Sequence, residues 1–66
     1  MLLRVHVSDG EIVVEQPLTG FAAVYHKPPD QPQLLLKRCT NTDDYELLAH
    51  VWEAANTKAR ELGWIV

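Results

Sequence analysis

The sequence predicts a single α+β domain: a four-stranded antiparallel β-meander followed by one long C-terminal helix, ββββα. Three observations carry this prediction. Leu3, Val5 and Val7 alternate with polar residues and short apolar or β-branched runs follow up to Cys39, an Asp9-Gly10 pair separates the first two runs, and beyond Thr40 the apolar spacing changes to threes and fours.

The first hairpin is read from Leu3, Val5 and Val7, which alternate with Arg4 and His6, and from the β-branched run Ile12-Val13-Val14 beyond the turn. Asp-Gly is the strongest short hairpin signal because a type I′ turn needs positive φ at both central positions. A two-residue loop there pairs Val7 with Ile12, Val5 with Val14 and Leu3 with Gln16 on one face. The other face takes His6 with Val13 and Arg4 with Glu15, a cross-strand ion pair. Pro17 ends the second strand. Phe21 to Lys27 and Gln33 to Cys39 read as two further strands joined by Pro28-Pro29-Asp30-Gln31-Pro32, whose three prolines exclude regular structure. A five-residue loop would set Val24 against Leu36 and Ala22 against Arg38 on one side, Tyr25 against Leu35 and Phe21 against Cys39 on the other. Both faces of this hairpin carry apolar side chains, so both call for cover.

The helix is expected close to residues 43–62. Tyr45, Leu48, Trp52, Ala55, Ala59 and Leu62 form an apolar stripe that Leu47, Val51 and Ala54 widen, with Leu48, Trp52 and Leu62 supplying the large buried groups. Thr42 or Asp43 is the expected N-cap, and Glu46 suits the positive end of the helix dipole. Gly63 is placed as the left-handed residue that closes the helix, with Trp64 folding back over Ala59. The ending Trp64-Ile65-Val66 is apolar throughout and is expected to dock on the sheet or on a neighbouring chain.

Composition narrows the function. Sixty-six residues, 47% of them hydrophobic, fit one core and not two. A domain of this size buries only about 60% of its extended-chain surface and often relies on a disulfide, a metal or a partner. The single cysteine, Cys39, removes the disulfide and every zinc site that needs two thiolates. No run approaches the roughly 18 to 20 apolar residues of a membrane span, and no basic stretch leads into a long apolar one, so a cytoplasmic protein is expected. Residues 1–40 balance Arg4, Lys27, Lys37 and Arg38 against Asp9, Glu11, Glu15 and Asp30. Residues 41–66 set Lys58 and Arg60 against Asp43, Asp44, Glu46, Glu53 and Glu61, which accounts for the net charge of −3. Neutral and acidic halves are poor equipment for neutralising phosphates, which argues against nucleic acid as a partner.

Each residue that could carry chemistry also has a structural use. His50 lies one turn from Glu46 and from Glu53 without the second helical histidine of a metal motif. Cys39 ends an apolar strand and reads as a small hydrophobe. Asp43 and Asp44 sit where a helix start explains them. Pro29-Asp30-Gln31-Pro32 matches P-x-x-P but reads as a rigid loop, and Gly10, Gly20 and Gly63 each belong to a turn or a cap. No catalytic residue, metal site or cofactor is predicted.

Since one helix cannot cover both faces of four strands, the second face is expected to bury itself against another copy of the chain. Val13, Phe21, Tyr25, Leu35, Trp64 and Ile65 are the expected interface. The function predicted is a non-enzymatic interaction module, homodimeric through the sheet face that the helix leaves open, with a protein partner as a further possibility. The alternative is an anionic-ligand or nucleic-acid site on Tyr25, Lys27, Lys37 and Arg38, the one concentration of cations and aromatics. On a regular strand Lys37 and Arg38 point to opposite faces, and an edge guarded by charge explains them without a ligand.

Overall fold

In the computed structural model, which describes residues 1–66, strands β1 (Arg4–Ser8), β2 (Glu11–Gln16), β3 (Phe21–His26) and β4 (Leu35–Cys39) precede helix α1 (Tyr45–Glu61). The strands form one antiparallel sheet in the order β1-β2-β3-β4. This is the predicted α+β architecture.

The first hairpin has the expected register, with Val7 opposite Ile12, Val5 opposite Val14, His6 opposite Val13 and Arg4 opposite Glu15. Asp9 and Gly10 both take positive φ, 51° and 75°, as a type I′ turn demands. Between β2 and β3, the Gln16 carbonyl accepts from the backbone of Thr19 (3.2 Å) and Gly20 (3.0 Å), closing the turn. The register across this turn sets Ile12 opposite Tyr25, Val14 opposite Ala23 and Gln16 opposite Phe21. Phe21, Ala23 and Tyr25 therefore share a face with Ile12 and Val14, beneath the helix. The expectation that Phe21 and Tyr25 lie on the uncovered face is corrected: they are 4% and 3% exposed and belong to the core.

The second hairpin also departs from expectation. Its connection is longer than five residues, because Leu34 leaves the ladder to bury itself in the core and β4 starts only at Leu35. His26 then faces Leu35, Tyr25 faces Leu36, Val24 faces Arg38 and Ala23 faces Cys39, with a bulge opposite the Val24/Tyr25 step. Lys37 is the extra residue. A bulge brings successive side chains towards the same side, and both Lys37 and Arg38 reach Glu11 on the outer face. They do not point to opposite faces. Thr40 prolongs the pairing, donating its N–H to the Ala22 carbonyl (2.9 Å) and accepting the Ala22 N–H on its hydroxyl (3.1 Å).

Asp44, rather than Thr42 or Asp43, caps the helix, its carboxylate accepting from the Leu47 N–H at 3.0 Å. Thr42 supports that cap by accepting from the Asp44 N–H at 3.1 Å. At the other end Gly63 has φ 76°, the Gly63 N–H donates to Arg60 (3.0 Å) and the Trp64 N–H to Ala59 (2.9 Å), a Schellman closure. The buried row is Leu47, Val51, Ala55 and Ala59, packed with Ile12, Val14 and Leu34, while Leu48 and Ala54 flank it half-buried. Tyr45, Trp52 and Leu62 are exposed. The helix is thus rotated from the expected stripe, so that its alanines meet the sheet and its largest side chains stand at the side. Trp64 and Ile65 pack against the same core, and Val66 projects freely.

Close approach at Ala55, which has no exposed surface, predicts that Ala55→Leu overpacks the helix–sheet contact and lowers stability by about 1–3 kcal/mol. Urea unfolding followed by circular dichroism measures this.

Candidate functional site

Two surfaces emerge from this packing, an outer sheet face and the sheet margins on the helix side. The outer face carries Arg4, His6 and Ser8 from β1, Glu11, Val13 and Glu15 from β2, Ala22, Val24 and His26 from β3, and Leu35 and Arg38 from β4. Most of its charges have partners within the chain, but Arg4 does not: the expected cross-strand ion pair with Glu15 is absent, and Glu15 lies beside His6 instead. His6 Nδ1 lies 3.5 Å from Glu15 Oε1, and Glu11 takes Lys37 Nζ on one carboxylate oxygen and Arg38 Nη2, at 3.9 Å, on the other. Glu11 is on β2 and its partners are on β4, so this cluster spans β3. Val24, opposite Arg38 in the ladder, is only 8% exposed although no helix lies on this side. The hydrogen bond from Lys37 holds the Glu11 carboxyl below its ordinary value of 4.5, and the charges of Lys37, Arg38 and His26 add to the effect against a smaller opposing push from burial.

The helix-side margins are different in character. α1 lies over β2 and towards β1, where Leu3 and Val5 pack against the core. Trp52 reaches over Tyr25 with ring centroids 5.6 Å apart at an interplanar angle of 49°. Trp52 remains 43% exposed, and Leu36, the ladder partner of Tyr25, is 51% exposed. Cys39 is exposed on this side too. Burial, and secondarily the neighbouring Cys39 thiol, raises the Tyr25 phenol above its ordinary 10.0. At the opposite margin Val7 is 42% exposed beside the edge of β1.

These positions sort the predicted site residues. Of the expected interface, Val13 and Leu35 lie half-buried on the outer face, Phe21 and Tyr25 are beneath the helix, and Trp64 and Ile65 are half-buried against the core. The four residues of the alternative ligand site do not converge. Tyr25 is on the helix side and Lys37 and Arg38 hold Glu11 on the other, while Lys27 donates to the Pro28 carbonyl at 3.1 Å and borders a hollow with Gly10 and Trp64. His50 stands 3.9 Å from Glu46 on the exposed helix surface. His26 and Cys39 sit on opposite faces of the sheet, and no three His, Cys, Asp or Glu side chains gather as metal ligands. No helix is long and apolar enough to cross a membrane. Of the residues the structure brings forward, Val7 was visible in the sequence as a member of an alternating strand, Leu36 as one of three consecutive leucines and Glu11 only as one of the acidic residues of the first half. Compared with protein-family models, curated proteins and solved structures, the chain finds no match.

The Glu11 cluster sets a pH dependence. Because the folded carboxyl is more acidic than the free one, its stabilising contribution is present above about pH 4.5 and is lost as pH falls through the lowered folded value. Glu11→Gln is expected to lose less stability than the wild type on acidification below pH 4.5, as compared by urea unfolding across a pH series.

Proposed function

We propose that this chain is a small non-enzymatic interaction module that works as a homodimer, with its contacts made at the margins of the sheet. The observation that carries this reading is the apolar surface that the single helix leaves open there, with Leu36 and Trp52 at one margin and Val7 at the other. Eleven of 66 residues are buried, and a core this small rarely supplies more than about 3–5 kcal/mol, so a second copy adds burial that the fold lacks. The outer face supports contact less well. Glu11 is already held by Lys37 and Arg38, and Val13 and Leu35, the half-buried large apolar groups of this face, flank a Val24 that is already covered. Against an enzyme stands the scatter of the histidines, Cys39 and the carboxylates over different surfaces.

Sedimentation analysis between about 10 µM and about 500 µM, a range suited to a small interface, tests the proposal. The weight-average mass is expected to rise towards twice the 7.5 kDa of the chain. A mass that stays at the monomer value throughout overturns it.

A further inference from the structure

The sheet has two free edges, and they are not equivalent. β4 is interrupted by its bulge and carries Lys37 and Arg38, and bulges and charges are the devices that discourage strand addition. β1 has no bulge and carries one cation, Arg4, at its end. It is regular through all five of its residues and pairs on one side only, with β2. Every second residue of such a strand directs its backbone N–H and C=O away from its neighbour, ready to pair with another strand.

The sequence of β1 is also symmetric about its centre. In Arg4-Val5-His6-Val7-Ser8 a valine stands on each side of His6 and a polar residue stands beyond each valine. Val5 and Val7 lie on the helix side, opposite Val14 and Ile12, while Arg4, His6 and Ser8 lie on the outer face. Resting on the homodimer reading above, we propose that β1 pairs antiparallel with β1 of a second copy, about a two-fold axis through His6, to make one continuous eight-stranded sheet.

In that register Val5 meets Val7 of the second copy and Val7 meets its Val5, His6 meets His6, and Arg4 meets Ser8. Valine packs on valine on the helix side, which covers the exposed flank of Val7, and neither arginine opposes its own copy. No other register that keeps the valines on one face pairs all five strand residues. Glu15, 3.5 Å from His6 in each chain, places one carboxylate on either side of the axis. The helices also fit. The two-fold axis stands perpendicular to the sheet, so both helices lie on the same side. α1 rests on β2 and leans towards β1, so the two helices stand side by side no more than three inter-strand spacings apart, at most about 14 Å, close to the about 10–12 Å diameter of a helix with its side chains. The contact is isologous and closes on itself, so assembly stops at the dimer.

A cysteine at the axis tests the register. Across an antiparallel pair, facing Cα atoms are about 4.5–5.5 Å apart, inside the range of about 4.4–6.8 Å that a disulfide spans. His6→Cys in a Cys39→Ser background is expected to form a disulfide-linked dimer under mild oxidation, whereas Val13→Cys in the same background, one strand further in, stays unlinked. Val7→Lys is expected to weaken association about tenfold or more in sedimentation while leaving the circular dichroism of the chain unchanged. If Val7→Lys unfolds, the cysteine pair decides alone. A dimer in sedimentation whose His6→Cys variant links no better than Val13→Cys overturns β1 as the contact and leaves the homodimer standing. A chain that is monomeric throughout overturns both.

Discussion

With its side chains an α-helix is about 10–12 Å across, while the outermost axes of a four-stranded sheet stand about 14 Å apart, with further side chains beyond them. One helix therefore cannot roof the sheet, and where it settles decides what every other apolar residue does. α1 settles over β2 and towards β1 because Ala55 and Ala59 permit close approach to Ile12 and Val14, β2 residues with no exposed surface. That choice turns Trp52 sideways. Instead of filling the core it brackets Tyr25 from the flank, and Leu36 and Cys39 on β4 are left without cover.

The outer face solves the same shortage without a second layer. Glu11 draws Lys37 and Arg38 across β3, and Arg38 lies opposite Val24, so long cationic side chains do locally what a helix does on the other side. Lysine and arginine suit this use because their aliphatic stems lie along apolar surface while the charged heads remain hydrated. The bulge makes the arrangement possible. On a regular strand one of the two cations would have turned towards the helix side, where no carboxylate waits for it.

The same bulge makes the two edges of the sheet unlike one another. β4 is irregular and carries two adjacent cations, features that discourage extension by another strand. β1 is regular, with alternating valines on the side that α1 favours. An exposed edge and an uncovered valine meet on the same strand: the sheet stops at β1, and Val7 on it lies 42% exposed. The proposed assembly at that edge would extend the ladder and the apolar layer together.

Much of this architecture is legible residue by residue. Asp9-Gly10 specifies the β1–β2 register through turn geometry, Gly63 closes the helix through its left-handed backbone, and the change of apolar period at Thr40 separates sheet from helix. These are local effects, each contained within a few residues. The candidate surfaces were less legible because they depend on relations between elements. The four residues Pro17 to Gly20 join β2 to β3 without revealing which face Phe21 and Tyr25 share with Ile12, and the proline-rich connection conceals both the departure of Leu34 and the bulge at Lys37. Nor does the helix's period of 3.6 say whether Val51 or Trp52 lies at the centre of its broad apolar side. By itself, then, the sequence determined the elements, their order and the first hairpin, because turns, caps and periodicity act over short stretches of chain. The tertiary structure alone decided which side chains are buried, because that follows from the competition of all the apolar groups for the cover of one helix, and which edge is regular, because the bulge in β4 depends on how the proline-rich connection lets Leu34 leave the ladder.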